Sequence, residues 1–228
     1  MYPIYMDWTI LLIIPGIIVA AWAQSKVTRT YAAFSKIPTR KGLTGSESAR
    51  RIMQSGGIFD VQIKSTQGML TDNYNPRKKE LNLSAQNYSG TSIAAVAVAA
   101  HEAGHALQHR ENYAPLFLRS LLAPVVSAAS WLLWPLLILG LMAGFANTLD
   151  IVVYIFLGIF VFQLVTLPVE YNASRRALTA LTMDGVLTEE EIYGAKKMLD
   201  AAALTYVAAT LVALLNVLRF MALSQRRR

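Results

Sequence analysis

The chain contains no cysteine and few charged residues. Because none of its 228 residues is a cysteine, disulfides and thiolate metal ligands are excluded, and any metal would be held by histidine and carboxylate. Charged residues make up 15% of the chain and apolar residues 54%, and long stretches carry no charge at all. This balance is typical of a membrane protein rather than of a soluble domain.

Acidic residues are also scarce, with 14 against 21 basic ones, which gives a net charge of +7. A basic balance can indicate nucleic-acid binding, but no nucleic-acid motif accompanies it, so nucleic acid is not an expected partner. Basic residues beside membrane spans have a simpler explanation, because they face the anionic lipid of the cytoplasmic side. The composition therefore predicts the lipid bilayer as a partner.

Apolar runs predict three membrane spans. Residues 4–23 form the first, and 20 helical residues at about 1.5 Å each cross a bilayer core of roughly 30 Å. A second span lies within residues 120–148 and a third at residues 151–169, so the two form a hairpin. The turn between them, which includes Ala146, has no basic residue and is expected outside.

A fourth apolar helix at residues 201–218 is less hydrophobic than the others. It either crosses the membrane or packs against the soluble part of the protein. If it crosses, the terminal arginines at residues 226–228 lie outside, against the positive-inside rule. Both alternatives stay open.

The polar stretches between the spans predict one soluble domain built from two segments. Residues 24–119 carry 13 basic and 6 acidic residues, so the positive-inside rule places them in the cytoplasm. Residues 170–200 are polar again and complete the domain. The predicted organisation is a span at 1–23, a soluble part at 24–119, a membrane hairpin at 120–169, a second soluble part at 170–200, and an apolar helix with a basic tail at 201–228.

Local patterns in the first soluble part predict a short helix and a small sheet. Thr44 and Glu47 have capping-box spacing, and the helix they begin would stop at Gly56-Gly57. Residues 58–64 alternate as a strand would, and residues 68–74 and 79–84 predict two further strands around a turn at Asn75-Pro76. An edge strand here could pair with an extended peptide, and a purely structural hairpin is the equal alternative. The residues of the candidate substrate-pairing strand are Leu81, Asn82, Leu83 and Ser84.

All histidines lie in or just after one stretch, His101-Glu102-Ala103-Gly104-His105, with His109 following. Ser89, Thr91 and Ser92 offer N-caps for a helix that would carry this stretch and run to about Arg110. Residues i and i+4 share a helix face, so His101 and His105 can bind one ion, while Glu102 leans towards a bound water as a general base. A chance pentapeptide on a surface helix is the alternative. Gly104 indicates close approach of another backbone, or else a tolerated helical glycine.

The third ligand of such a site must be a carboxylate. His109 lies about 12 Å along the helix axis from His101, whereas Zn–N bonds are only about 2.1 Å long, so both cannot bind one ion. Among the distant acids, Glu170 stands out because the apolar hairpin returns it to the membrane face of the motif and because it would begin a helical stretch. Glu189, Glu190 and Glu191 instead predict a solvated helix start with Thr188 as its cap.

The chain resembles the YugP-type neutral zinc metallopeptidases of bacterial membranes and, more distantly, HtpX-like membrane proteases. The resemblance covers nearly all of the chain. It implies a zincin-like α+β catalytic domain on the cytoplasmic face of three to four transmembrane helices, in a mainly α membrane protein. The stretches that carry it are an N-terminal span, residues 68–76, His101-Glu102-Ala103-Gly104-His105-Ala106-Leu107-Gln108, residues 168–177 and residues 201–206.

The same resemblance implies roles for individual residues: one zinc ion bound by His101, His105 and Glu170, and Glu102 as the catalytic base. The chain departs from the family at two places. Asp72-Asn73-Tyr74-Asn75-Pro76 stands where the family has Asp-His-Tyr-Asp-Pro, and Ser174 stands where distant relatives have an aspartate. Ser174 could still orient a ligand histidine, although it lacks the charge that raises ligand basicity.

The function expected from the sequence is zinc-dependent hydrolysis of peptide bonds at the cytoplasmic surface of a bacterial cell membrane, by a multi-pass protein. Tyr74, Tyr171 and Arg175 are candidates for the oxyanion donor. The substrate is a protein or peptide, and misfolded membrane protein is suggested only by analogy. The alternative from another class is a catalytically silent scaffold whose zinc ties the two soluble segments together.

Protease added outside intact cells is expected to leave residues 24–119 uncut, because their 13 basic residues hold the segment in the cytoplasm. An epitope inserted in this segment and followed by immunoblotting measures the cleavage. Permeabilised cells are the control, and the epitope should be lost from them. Equally rapid loss from intact cells would invert the topology.

Overall fold

The computed structural model describes residues 8–68, 71–145 and 147–225. Within these residues it contains seven α-helices and one three-stranded sheet. The expected mainly α membrane-type fold with a small sheet is confirmed. The helices are α1 (Ile14–Phe34), α2 (Gly45–Ser55), α3 (Ala85–Ser89), α4 (Ile93–Arg110), α5 (Ala114–Met142), α6 (Thr148–Met183) and α7 (Glu189–Gln225), and the strands are β1 (Gln62–Thr66), β2 (Asn73–Asn75) and β3 (Glu80–Ser84).

Four stretches of sequence lie outside the described residues, and the expectations placed on them are not addressed by the structure. They are the start of the first span at residues 4–7, part of a predicted strand at residues 69–70, Ala146 in the predicted outside turn, and the terminal arginines at residues 226–228.

Four helices of the described chain are long and apolar enough to cross a membrane. The first is Trp8–Phe34, which joins a short 3-10 helix to α1, and the others are α5, α6 and α7. Only 11% of the most apolar part of α5 and of α6 is buried within the protein. Residues 201–218 lie in α7, which is also long and apolar enough to cross a membrane.

Helix α6 extends past the predicted end of the third span. The third span was predicted to end at Val169 and a separate helix to begin at Glu170, but α6 runs unbroken through both residues. The reason is an apolar stripe that recurs every four residues beyond the span and is completely buried, so the helix keeps a face to pack. The stripe consists of Val169, Ala173, Ala177 and Leu181.

Helix α7 likewise begins well before the predicted helix at residues 201–218. It starts at Glu189, after Thr188, whose backbone amide and hydroxyl both donate to Glu191 Oε2. The expected solvated start is correct for the exposed Glu190 and wrong for Glu191, which is buried and accepts a hydrogen bond from the Arg40 amide at 2.6 Å. These hydrogen-bond donors offset the free-energy cost of burying the Glu191 carboxylate.

The described residues form two compact units. The first contains residues 8–24, 118–145, 147–167 and 205–225. In it Gly16 of α1 lies against Val212 and Leu215 of α7, and the rings of Phe156 and Phe220 stack with centroids 5.0 Å apart. The predicted boundaries at residues 23, 119, 169 and 200 remain predictions.

The second unit contains residues 25–68, 71–117 and 168–204 and has α4 at its centre. The buried face of α2, with Ile52 and Met53, packs on α4. This short helix has the predicted capping box, because the side chains of Thr44 and Glu47 each accept a hydrogen bond from the other's backbone amide. Helix α4 is rich in buried alanine, which lets its neighbours approach closely.

The sheet has the order β1-β3-β2, with β3 parallel to β1 and antiparallel to β2. Residues 58–61, expected to begin a strand, form a loop instead, because the Ile58 amide donates to the Met53 carbonyl at the end of α2, and the strand starts only at Gln62. The two strands pair antiparallel, but the first, predicted at residues 68–74, forms only at Asn73–Asn75 within the described residues, so Asn75 belongs to the strand and not to the turn. The edge position of the second strand is also wrong. Leu81, Asn82, Leu83 and Ser84 form the central strand, whose backbone is paired by β1 and β2 or held by Asp72, so they cannot accept a substrate strand.

Candidate metal centre

Helix α4 carries His101 and His105 on the face that meets α6. Of the three candidate N-caps, Ser92 is the one used, since its hydroxyl accepts from the Ala95 amide, and the helix ends at Arg110 as expected. Gly104 lies between the histidines at the point of closest approach to α6. A β-carbon built there would be 2.5 Å from the backbone oxygen of Ala173, so the prediction of a close backbone is confirmed.

This close approach brings three donor residues together from two helices. The candidate ligand atoms of His101, His105 and Glu170 all lie within 4.8 Å of one another. His101 Nε2 is 3.1 Å from Glu170 Oε2, and His105 Nε2 is 3.8 Å from Glu170 Oε1. The two imidazoles meet edge to face with centroids 4.8 Å apart.

The donor set fits a zinc ion. Tetrahedral zinc with bonds of about 2.1 Å keeps its ligand atoms about 3.4 Å apart. The two imidazole–carboxylate separations, 3.1 and 3.8 Å, lie on either side of this value. Two nitrogens and one carboxylate oxygen form the three-ligand set typical of catalytic rather than structural zinc sites. Glu170 is only 1% exposed, and a carboxylate this deeply buried is favoured by a cation beside it.

Glu102 occupies a second face of α4. One residue corresponds to about 100° around an α-helix, so Glu102 points to the side of the stripe formed by His101, Gly104 and His105. Its side chain is buried, with 8% of its surface exposed. A buried carboxylate is therefore present one residue after His101.

A hydrogen bond fixes the orientation of His101. The hydroxyl of Ser174 lies 3.1 Å from His101 Nδ1. Ser174 therefore has the position predicted for a residue that orients a ligand histidine. Ser174 is one turn beyond Glu170 on α6, so the helix that supplies the carboxylate also orients the imidazole.

Gln108 does the same for His105, and the sequence analysis did not single it out. Its side chain is completely buried, and its Nε2 donates to the Val169 carbonyl at 2.8 Å and to Asn172 Oδ1 at 2.9 Å. Its Oε1 must then accept from His105 Nδ1, 3.0 Å away, so Nε2 of that imidazole carries no hydrogen and can bind a metal. The signal available in the sequence was its position three residues after His105, on the same face.

The remaining candidates lie elsewhere. The hydroxyl of Tyr74 is 2.8 Å from His109 Nδ1, so it is engaged with the third histidine, which is not part of the donor group. Tyr171 follows Glu170 with half of its surface exposed. Arg175 lines a cavity with Leu107, which is on a different side of α4 from His101. The oxyanion roles of Tyr74, Tyr171 and Arg175 remain predictions.

Comparison with known sequences agrees with this geometry. A family described as "Putative neutral zinc metallopeptidase" matches residues 9–225, and the chain belongs to this family. The expected resemblance is thereby confirmed.

A curated relative with the printed name "Putative membrane protease YugP", from Bacillus subtilis (strain 168), is 45% identical over 212 residues, which cover 92% of this chain and 94% of that protein. No solved structure matches the chain.

Replacing Gln108 by leucine should weaken zinc binding roughly 10- to 100-fold, the usual cost of losing a partner that orients a ligand histidine. The leucine cannot accept the hydrogen bond from His105, so the imidazole loses its fixed orientation. Competition with a chelator of known affinity measures the change. Gln54→Leu, at an exposed position of α2, is the matched control, and equal zinc affinity of the two variants would contradict the role of Gln108.

Proposed function

We propose that the protein is an integral membrane metalloendopeptidase that holds one Zn²⁺ through His101, His105 and Glu170. The observation that carries the proposal is the convergence of two imidazoles and a buried carboxylate from separate helices, next to Glu102. The family and the relative with a membrane-protease name support the same reaction class. Sequence, geometry and relatives therefore point to peptide-bond hydrolysis.

In the proposed reaction Glu102 acts as the base. When bound, zinc supplies Lewis acidity, which lowers the pKa of water towards 7 and polarises the scissile carbonyl. Glu102 takes the proton from the attacking water and returns it to the amine that leaves. Gln108 and Ser174 keep the two imidazoles oriented throughout, and the buried surroundings of Glu102 limit competing water.

The proposed location is a bacterial cell membrane, with several spans and the catalytic unit on the cytoplasmic side. Four candidate spans and the printed name of the relative support membrane association. The cytoplasmic side follows from the 13 basic residues between positions 24 and 119. The substrates proposed are proteins or peptides that reach this membrane surface, and misfolded membrane proteins are the first class to test.

A catalytically silent scaffold is the second candidate function. It would use zinc to join α4 and α6 and would not need Glu102, because a structural site has no open coordination position for a water molecule. The presence of Glu102 beside His101 disfavours it, since a structural site does not need a base next to an open coordination position.

Glu102→Gln should lower proteolysis of an unfolded substrate by about 10²- to 10⁴-fold, because glutamine cannot take up the proton. The assay uses the full chain with zinc in liposomes, with and without a chelator. Glu190→Gln, at an exposed carboxylate, is the matched control and should cleave as the wild type does. If wild type loaded with zinc shows no chelator-sensitive cleavage that Glu102→Gln lacks, the scaffold function is favoured.

Glu170→Ala should lose stoichiometric zinc, because two imidazoles alone bind the ion much more weakly than the three-ligand set. Metal content of the purified protein is measured by elemental analysis after dialysis. Glu190→Ala controls for loss of a carboxylate at the surface and should keep one zinc per chain. Full retention of zinc by Glu170→Ala would move the third ligand to another residue.

A further inference from the structure

Helix α4 presents a second stripe that does not face α6. Glu102, Ala106 and His109 are spaced i, i+4 and i+7, so they lie on one side of the helix. Ala106 lies about 6 Å and His109 about 10.5 Å beyond Glu102 along the axis. A side chain bound on this stripe would therefore be close to the proposed base.

A cavity of about 440 Å³ opens on this stripe. Ala106 and His109 form its floor, and the loop between α2 and β1 forms one wall with Ile58, Phe59 and Val61. Phe59 is 79% exposed, so most of its ring is open to a group that enters the cavity. An apolar group placed in the cavity would cover this ring.

The polar side of the cavity is formed by a tyrosine and a histidine. Burial, and secondarily the charge of Asp60, raise the pKa of Tyr74 to about 12, and its hydroxyl lies 2.8 Å from His109 Nδ1. With the Tyr74 hydroxyl as the donor of this hydrogen bond, the imidazole hydrogen of His109 lies on Nε2. A donor of this kind suits a backbone carbonyl of a peptide.

Charged groups at the cavity largely compensate each other. Lys79 Nζ and Asp60 Oδ2 form an ion pair at 2.5 Å, and this pair lowers the pKa of the Asp60 carboxyl. The guanidinium of Arg110 packs against Gly57 and leaves one positive charge at the rim. Among charged substrate side chains, only an acidic one would be attracted to this cavity and could compete there with an apolar side chain.

We propose that this cavity is the subsite that receives an apolar side chain of the substrate, aliphatic or aromatic, while His109 Nε2–H donates to the substrate backbone. The inference rests on the proposed peptidase function and adds its specificity. An extended peptide advances about 3.3 Å per residue, so the side chain bound here belongs to a residue within two or three positions of the scissile bond.

The test uses full-length protein with zinc in liposomes and a peptide series in which each position near the scissile bond is varied among Ala, Leu, Phe, Asp and Lys. At one position kcat/KM should favour Leu and Phe over Ala and Asp by roughly tenfold or more. Phe59→Ala should remove most of this preference, and Phe59→Leu should keep it. Ile37→Ala, which removes an exposed apolar side chain outside the cavity, should leave the preference unchanged.

Binding separates failure of the subsite from failure of the peptidase. Fluorescent peptides are titrated into Glu102→Gln protein, with and without Phe59→Ala. Tighter binding of the Phe peptide that depends on Phe59 supports the subsite even if wild type shows no chelator-sensitive cleavage. Cleavage without side-chain preference, a preference for Asp, or equal preference in wild type and Phe59→Ala would each overturn it.

Discussion

The centre of the molecule depends on how closely the backbones of α4 and α6 approach. At Gly104 there is no room for a β-carbon, because it would lie 2.5 Å from the carbonyl oxygen of Ala173. A wider separation would carry Glu170 out of reach of the imidazoles, since its carboxylate meets them at 3.1 and 3.8 Å. Gln108 maintains the approach from the other side, because its amide group bonds to the α6 backbone while it holds His105. The distances between the Glu170 carboxylate and the two imidazoles are thus set by the close packing of α4 and α6 at Gly104.

The two sides of α4 around this contact carry different sets of residues. The stripe with His101, Gly104, His105 and Gln108 is closed by α6 and consists of donors and their supports. The stripe with Glu102, Ala106 and His109 faces the loop and the sheet, where a cavity remains. The proposed metal ligands and the proposed subsite therefore lie on different sides of one helix, and Glu102 lies on the side of the subsite.

The sequence predicted local features well and the packing partners less well. The capping box at Thr44, the close contact at Gly104 and the position of Ser174 beside His101 follow from patterns within a few residues or from family motifs, and the structure has all three. The unbroken course of α6 through Glu170, the central position of β3 and the role of Gln108 were missed. Each of these depends on a segment far away in the chain, such as β1 lying beside β3, and no local period encodes such a partner.

Helix α4 is enclosed by its neighbours on nearly every side, because five of its own small residues have no exposed surface: Ala94, Ala97, Ala99, Ala100 and Ala103. Even one added methylene in such a tightly packed place strains the neighbouring helices. The stretch is therefore constrained by volume as well as by chemistry, and the two constraints act independently. A descendant of this protein that had lost its histidines, and with them the metal, would still have to keep the alanines in order to fold.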